Sequence, residues 1–232
     1  MDLYSGAGGA ARGYADAGFE VVGVDIVPQP HYPFEFHQGD ALQVMDMLLA
    51  GKEWYGYTLD DFNALHGSPE CKGYTDCNLS PIAFYERHIG DVRTRFQRSG
   101  KLYIIENVRG AVRKKHLHAC LMLCATMFGR GMQRHRFFES NVMLYAPGQC
   151  DHRLGNIGIY GHSVWDYSLK GTPRKDGRNR PDSVPLAVGR AVMDCPWMGI
   201  EELAEALPPY YTEWIGRQLI TALQREVEEV GA

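Results

Sequence analysis

Met1-Asp2-Leu3-Tyr4-Ser5-Gly6-Ala7-Gly8-Gly9-Ala10-Ala11-Arg12-Gly13 opens the chain, and after a short run of helical character it continues Phe19-Glu20-Val21-Val22-Gly23-Val24-Asp25-Ile26. Together these stretches spell strand, glycine turn, helix, strand, acid. That order is the grammar of a βαβ unit holding a nucleotide-type cofactor. The glycines let the backbone come close to a ligand, and an acid at the end of the second strand can accept hydrogen bonds from ribose hydroxyls. The first strand starts almost at residue 1, so it is either very short or preceded by residues absent from this sequence.

Outward from this unit, three prolines within residues 28–33 exclude regular backbone pairing and predict an extended loop. Phe34-Glu35-Phe36-His37-Gln38 reads as a third strand closed by Gly39-Asp40, with a helix following to residue 49. Asp40 then lies on the same sheet edge as Asp25, where it meets a ligand or caps the helix. Asp61-Phe62-Asn63-Ala64-Leu65-His66 reads as a further strand that gives way to Gly67-Ser68-Pro69-Glu70-Cys71-Lys72-Gly73-Tyr74-Thr75. A cysteine thus sits in a polar, glycine-flanked loop at a strand end, where α/β proteins place chemistry.

Residues 81–98 are amphipathic, rich in arginine, and predict a helix. Lys101-Leu102-Tyr103-Ile104-Ile105-Glu106-Asn107-Val108 predicts a buried strand ending in a carboxylate. Desolvation at that strand end raises the Glu106 pKa and suits it to donate a proton. Residues 117–127 predict another helix, with Cys120 and Cys124 on one face as core thiols. In Gln133-Arg134-His135-Arg136-Phe137-Phe138-Glu139 a strand would turn Arg134 and Arg136 to one face, toward a phosphate or a base edge. Residues 147–196 turn to Gly, Arg, Asn, Asp and Pro with little periodicity, which predicts an irregular excursion. Cys150-x-His152 has the form of half a metal site, but no second pair stands at a matching spacing, so no metal is expected. The chain closes with residues 200–207, the turn Pro208-Pro209, and an amphipathic helix over about 212–230.

A length of 232 residues, 45% hydrophobic and 22% charged, accommodates one sizeable α/β domain with a small appended lobe. No apolar run approaches the roughly 20 residues needed to cross a bilayer, and no membrane association is expected. The six cysteines, 71, 77, 120, 124, 150 and 195, do not form a disulfide framework and fit a reducing, intracellular setting. The net charge of −4 is uneven. Residues 1–86 carry 3 Lys/Arg and 13 Asp/Glu, residues 87–190 carry 19 and 7, and residues 191–232 carry 2 and 8, giving −10, +12 and −6. The basic middle predicts a phosphate-binding surface.

Taken in order, these landmarks resemble the S-adenosylmethionine-dependent cytosine-5 methyltransferases. Asp2-Leu3-Tyr4-Ser5-Gly6-Ala7-Gly8-Gly9 is similar to the family's D-L-F-S-G-x-G-G cofactor motif. Val24-Asp25 and Gly39-Asp40 fall where its second and third cofactor motifs belong. Gly67-Ser68-Pro69-Glu70-Cys71 resembles the nucleophile motif, Glu106-Asn107-Val108 matches E-N-V, and Arg134-His135-Arg136 fits R-x-R.

The resemblance implies an α/β fold of the Rossmann-like methyltransferase type, with a mainly parallel sheet flanked by helices and a small irregular lobe. Residues 1–146 and 197–232 would form the catalytic domain, and 147–196 a small substrate-recognition segment. It implies S-adenosyl-L-methionine as cofactor, held by Tyr4, Ser5, Gly6, Gly8, Gly9, Asp25, Ile26, Asp40, Pro69 and Thr212. Cys71 would be the nucleophile, Glu106 the donor to cytosine N3, and Arg134 and Arg136 the groups holding base and phosphate.

DNA is the first acceptor implied, in a bacterial or phage-infected cytoplasm. A free cytosine nucleotide, an RNA, or a non-catalytic role in binding nucleic acid or cofactor are the alternatives. Two departures stand out. Glu70 and Lys72 replace the usual Pro and Gln beside the nucleophile, and residues 147–196 are few for reading a duplex sequence. Lys72 would favour the thiolate and Glu70 oppose it.

Overall fold

The computed structural model describes residues 1–74, 88–154, 157–159, 164–165 and 184–230. Seven strands form one sheet: β1 (Asp2–Leu3), β2 (Val22–Asp25), β3 (Glu35–Gln38), β4 (Ala64–Gly67), β5 (Leu102–Asn107), β6 (Leu121–Leu123) and β7 (Arg136–Ser140). Their spatial order is β3-β2-β1-β4-β5-β7-β6, with β7 antiparallel to both neighbours and the first five mutually parallel. A separate parallel pair joins β8 (Val164–Trp165) to β9 (Val184–Pro185). Helices α1 (Gly9–Ala17), α2 (Ala41–Leu49), α3 (Ile89–Ser99), α4 (Arg109–Arg113), α5 (Leu186–Met193), α6 (Ile200–Glu205) and α7 (Pro209–Val230) complete the order. This is an α/β, Rossmann-like fold.

The interior strand β5 explains the layering. All six of its residues are buried, as a strand covered on both faces requires. Its side chains alternate between two cores with the period of a strand. Leu102 and Ile104 join Tyr14, Phe138, Tyr211 and Ile215, whereas Tyr103 and Ile105 join Leu3, Met45, Leu65 and Phe96. The first core lies under α1 and α7, the second under α2 and α3.

Helices α1 and α7 pack at backbone contact. A Cβ on Gly13 would lie 1.9 Å from Pro209 O, and one on Gly216 2.7 Å from Ala17 Cβ. Thr212 sits in this seam, fully buried, and its hydroxyl donates to Ala10 O at 2.8 Å. The cofactor contact expected of Thr212 is therefore replaced by a helix-to-helix pin. Pro209 begins α7, where its missing N–H has no partner to lose.

The helix expected over 117–127 is instead the edge strand β6 followed by a 3-10 turn, Ala125–Phe128. Leu121 and Leu123 face the core while Met122 is half-exposed, and the backbone pairs with β7. Only one of the two thiols expected in the core is there, since Cys124 is buried and Cys120 exposed. Within 147–196, Ile159, Met193 and Cys195 join the core formed with Phe138 and Tyr211. The cations at 170, 174, 175, 178 and 180 lie outside the described residues, as do Thr75, Cys77 and the first part of the helix expected over 81–98. Its later part is α3. Among the described residues no helix is long and apolar enough to cross a membrane.

The chain builds outward from β1 through β2 to β3, then crosses back to place β4 on the other flank of β1. Strand order thus reverses between β1 and β4. In such sheets the crevice beyond the carboxyl ends of those strands is where ligands bind.

Candidate active site

Beyond β1 the backbone turns sharply through Tyr4 and Gly6, at φ +57° and +49°. Ser5 N donates to Val24 O at 3.1 Å and Gly6 N to Asp25 Oδ2 at 2.9 Å, while Val27 N donates to Asp25 Oδ1 at 3.0 Å. Asp25 thereby fastens the glycine loop to the end of β2. A Cβ on Gly6 would meet nothing within 4 Å, so this stretch of backbone faces open space. Gly8 and Gly9 are glycines for another reason: added carbons would lie 2.6 Å from Pro33 Cδ and 2.3 Å from Leu207 O. Close approach to a ligand, expected at all three, is thus available at Gly6, while the other two are packed against the protein itself.

Other groups on this edge suit a nucleoside. Ile26 is an aliphatic side chain 64% exposed beside Asp25, and Tyr4 is steadied by a 3.2 Å contact between its hydroxyl and His88 Nδ1. The Ser5 hydroxyl is buried with no hydrogen-bond partner among the described residues. Asp40 caps α2, accepting from Leu42 N at 2.8 Å and Gln43 N at 3.2 Å through Oδ1. Among the described residues its Oδ2 has only Gln43 Nε2, at 3.5 Å, so capping leaves that oxygen for a ligand. Trp197, which nothing in the sequence singled out, reaches the glycine loop from the C-terminal part, with Nε1 donating to Ala7 O at 2.8 Å.

Beyond β4 the cysteine loop is held from β5 and α4. Asn107 Nδ2 donates to Pro69 O at 2.8 Å, and Tyr74 N donates to Cys71 O at 2.8 Å, closing a tight turn around Cys71. A Cβ on Gly110 would lie 1.8 Å from Tyr74 O, so α4 meets the loop backbone directly. Behind the loop, Tyr14 OH lies 2.9 Å from His66 Nδ1, and His66 Nε2 lies 2.7 Å from Ser68 Oγ. Burial lowers the His66 pKa to about 3, so the imidazole is neutral and gives one nitrogen as donor, the other as acceptor. Ser68 in turn hydrogen-bonds Glu106. Tyr14, His66, Ser68 and Asn107 are the supporting residues that the sequence reading passed over, although Ser68 and Asn107 stood inside its motifs.

Glu106 is 7% exposed, and its burial pushes its pKa up against the opposing field of Arg136. Arg136 Nε stands 3.1 Å from Glu106 Oε1, yet that oxygen makes no directed hydrogen bond among the described residues. Burial also raises the Cys71 pKa, and Arg136 is the strongest influence favouring the thiolate. Glu70 opposes Lys72 by direct pairing. The Lys72 ammonium is 2.9 Å from Glu70, so the two neighbours of Cys71 neutralise each other.

Arg134 also departs from expectation. The strand starts only at Arg136, and the Arg134 guanidinium runs into the protein, donating to the carbonyls of Ile159, of Ala204 at 2.9 Å and of Ala206 at 2.7 Å. With those donors engaged it clamps the 157–159 segment and the end of α6 to the approach to β7. Arg136 is the member of the pair that touches Glu106, while Arg134 acts on the site through its charge. Among the described residues, part of the basic middle is paired within the protein: Arg93 with Glu139, Arg95 with Asp46, Lys101 with Asp60, Arg130 with Asp194 and Arg153 with Asp151.

The structure also gathers Cys124, His135, Cys150 and His152, their sulfur and nitrogen atoms all within 4.8 Å of one another. The sequence showed only the Cys150-x-His152 half. This corrects the expectation that no partner pair exists.

No protein-family model matches the chain, and a search of curated proteins finds no match. Among solved structures, the Schizosaccharomyces pombe Dnmt2 methyltransferase is similar at 12% identity and a TM-score of 0.47, over 96% of this chain and 98% of that one. The Entamoeba histolytica methyltransferase EhMeth is similar at 11% identity and a TM-score of 0.45, over 96% and 97% of the two chains.

Proposed function

We propose that this protein is a cytosine-5 methyltransferase that uses S-adenosyl-L-methionine, acts on DNA, and works through a covalent bond between Cys71 and cytosine C6. The observation that carries the reading is the meeting, at the carboxyl edge beside the strand reversal, of a loop-borne cysteine, a buried carboxyl of raised pKa and a single arginine that touches that carboxyl. The cofactor's residues fit a nucleoside with an amino-acid tail. They include open backbone at Gly6, a Ser5 hydroxyl with no partner among the described residues, carboxylates at Asp25 and Asp40, and an exposed Ile26 as stacking surface.

Each residue type answers a chemical need. C5 of cytosine is a weak nucleophile, and addition of the Cys71 thiolate at C6 pushes electron density onto it. Negative charge develops at N3 as the C6–S bond forms, and a protonated Glu106 donates there. Arg136 favours the thiolate before addition and orients the Glu106 carboxyl, with Ser68 as a further partner of that carboxyl. The cofactor supplies an electrophilic methyl on sulfonium sulfur. After C5 takes it, the C5 proton passes to water, its electron pair restores the C5–C6 double bond as the C6–S bond breaks, Cys71 leaves as thiolate, and N3 returns its proton to Glu106.

Internal pairing of Arg93, Arg95, Arg130 and Arg153 favours a second reading in which the acceptor is a free cytosine nucleotide. The deciding experiment incubates the protein with labelled S-adenosylmethionine and, separately, duplex DNA, single-stranded DNA, RNA, and dCMP or dCTP. Transfer to DNA that is lost in Cys71→Ala supports the first reading. Transfer to nucleotide alone supports the second. Cofactor binding without transfer to any acceptor removes both.

A further inference from the structure

We propose that Cys124, His135, Cys150 and His152 bind one Zn²⁺ as a closed, structural Cys2His2 site. Antiparallel pairing of β6 with β7 sets Leu123 opposite Arg136, so Cys124 and His135, one step further along, face each other across the end of the ladder. The chain then returns: Ile157 N donates to Gly131 O at 3.0 Å, and Gln133 Nε2 lies 3.4 Å from His152 O, bringing Cys150 and His152 against that end. Arg153, whose backbone N and guanidinium both bond Asp151, sets the intervening turn.

The distances match tetrahedral coordination. Zn–S near 2.3 Å and Zn–N near 2.0–2.1 Å, at tetrahedral angles, imply S···N separations of about 3.6 Å and an N···N separation of about 3.3 Å. Here Cys124 Sγ to His152 Nε2 and Cys150 Sγ to His135 Nε2 are both 3.8 Å, and the two Nε2 atoms are 3.2 Å apart. A simple hydrogen bond between the histidines would leave unexplained why two thiols converge on the same nitrogens. Thr126 Oγ1 donates to Cys124 Sγ at 3.3 Å, the outer contact that steadies a thiolate ligand. Two sulfurs and two imidazoles suit zinc, and four protein ligands leave no open position for substrate.

The consequence is positional. His135 lies between Arg134, which clamps three carbonyls, and Arg136, which touches Glu106. Binding would fix the backbone from which Arg136 reaches the site, and anchor the root of the 147–196 segment. Loading releases the thiol protons of Cys124 and Cys150.

The test uses the full chain, purified reduced without chelator and analysed for metal, then stripped and refolded with Co²⁺. About one zinc per chain is expected, with a thiolate-to-cobalt charge-transfer band and the ligand-field absorption of tetrahedral cobalt. Both should vanish in Cys150→Ser/His152→Ala and persist in Cys120→Ser and Cys71→Ala, the latter separating this site from the methyl-transfer reading. A wild-type chain that takes up no metal, or forms a Cys124–Cys150 disulfide instead, would overturn the proposal. So would a cobalt spectrum without the sulfur band, or retention of metal by the double variant. Should that variant not fold, the wild-type cobalt spectrum decides alone.

Discussion

Arg136 Nε and Glu106 Oε1 stand 3.1 Å apart at the carboxyl end of β5, with Ser68 bonded to the same carboxyl group. Two opposed demands meet there. Cys71 must lose a proton to attack, so rate rises with pH, whereas Glu106 must keep its proton to donate, so rate falls with pH. Burial has raised both pKa values. The account predicts a bell-shaped pH dependence of kcat/KM that becomes a monotonic rise in Glu106→Gln, with activity lowered by about 10²-fold or more. Stability should move oppositely. A carboxyl whose pKa is raised on folding stabilises the folded state fully only below its ordinary value, 4.5, and that stability is lost as pH climbs through the folded value. Thermal melts should therefore show Glu106→Gln at least as stable as wild type at neutral pH.

Arg134 and Arg136 should separate by phenotype. Arg134→Met leaves the Ile159, Ala204 and Ala206 carbonyls without donors and should cost about 3 kcal/mol or more of stability. Arg136→Met should spare the fold by comparison and lower turnover. Denaturant unfolding and kinetics on both variants check this, and equal stability losses would contradict it.

Asn107 should act through the loop it holds. Asn107→Ala removes the bond to Pro69 O and should cost about 1–3 kcal/mol. It should also loosen the turn at Cys71, making that thiol faster to react with a small alkylating agent.

The glycines should divide by environment. Gly13→Ala places a carbon 1.9 Å from Pro209 O and should prevent folding. Gly6→Ala meets no neighbour and should cost about 1–2 kcal/mol for its left-handed backbone, while weakening S-adenosylmethionine binding in titration calorimetry.

The first βαβ unit was legible because its signals are local: β-branched runs, glycines and an acid at fixed offsets. Glu106 was legible for the same reason, since an apolar run ending in a carboxylate advertises its own desolvation. Strand β6 was not, because three residues are too few to show a period and its identity rests on pairing with β7. Arg134 was misread because its partners lie 25 to 72 positions away and only tertiary packing brings their carbonyls to it. The Cys124, His135, Cys150 and His152 cluster was half visible for a related reason: strand register joins one pair, and a returning segment supplies the other.

Trapping of the intermediate tests the central claim most directly. The protein would be incubated with S-adenosylmethionine and DNA carrying 5-fluorocytosine, whose C5 fluorine blocks release, and digested for mass spectrometry. The account predicts a covalent adduct mapped to Cys71 and absent from Cys71→Ser. Methyl transfer that continues in Cys71→Ser, or an adduct on another residue, would contradict it.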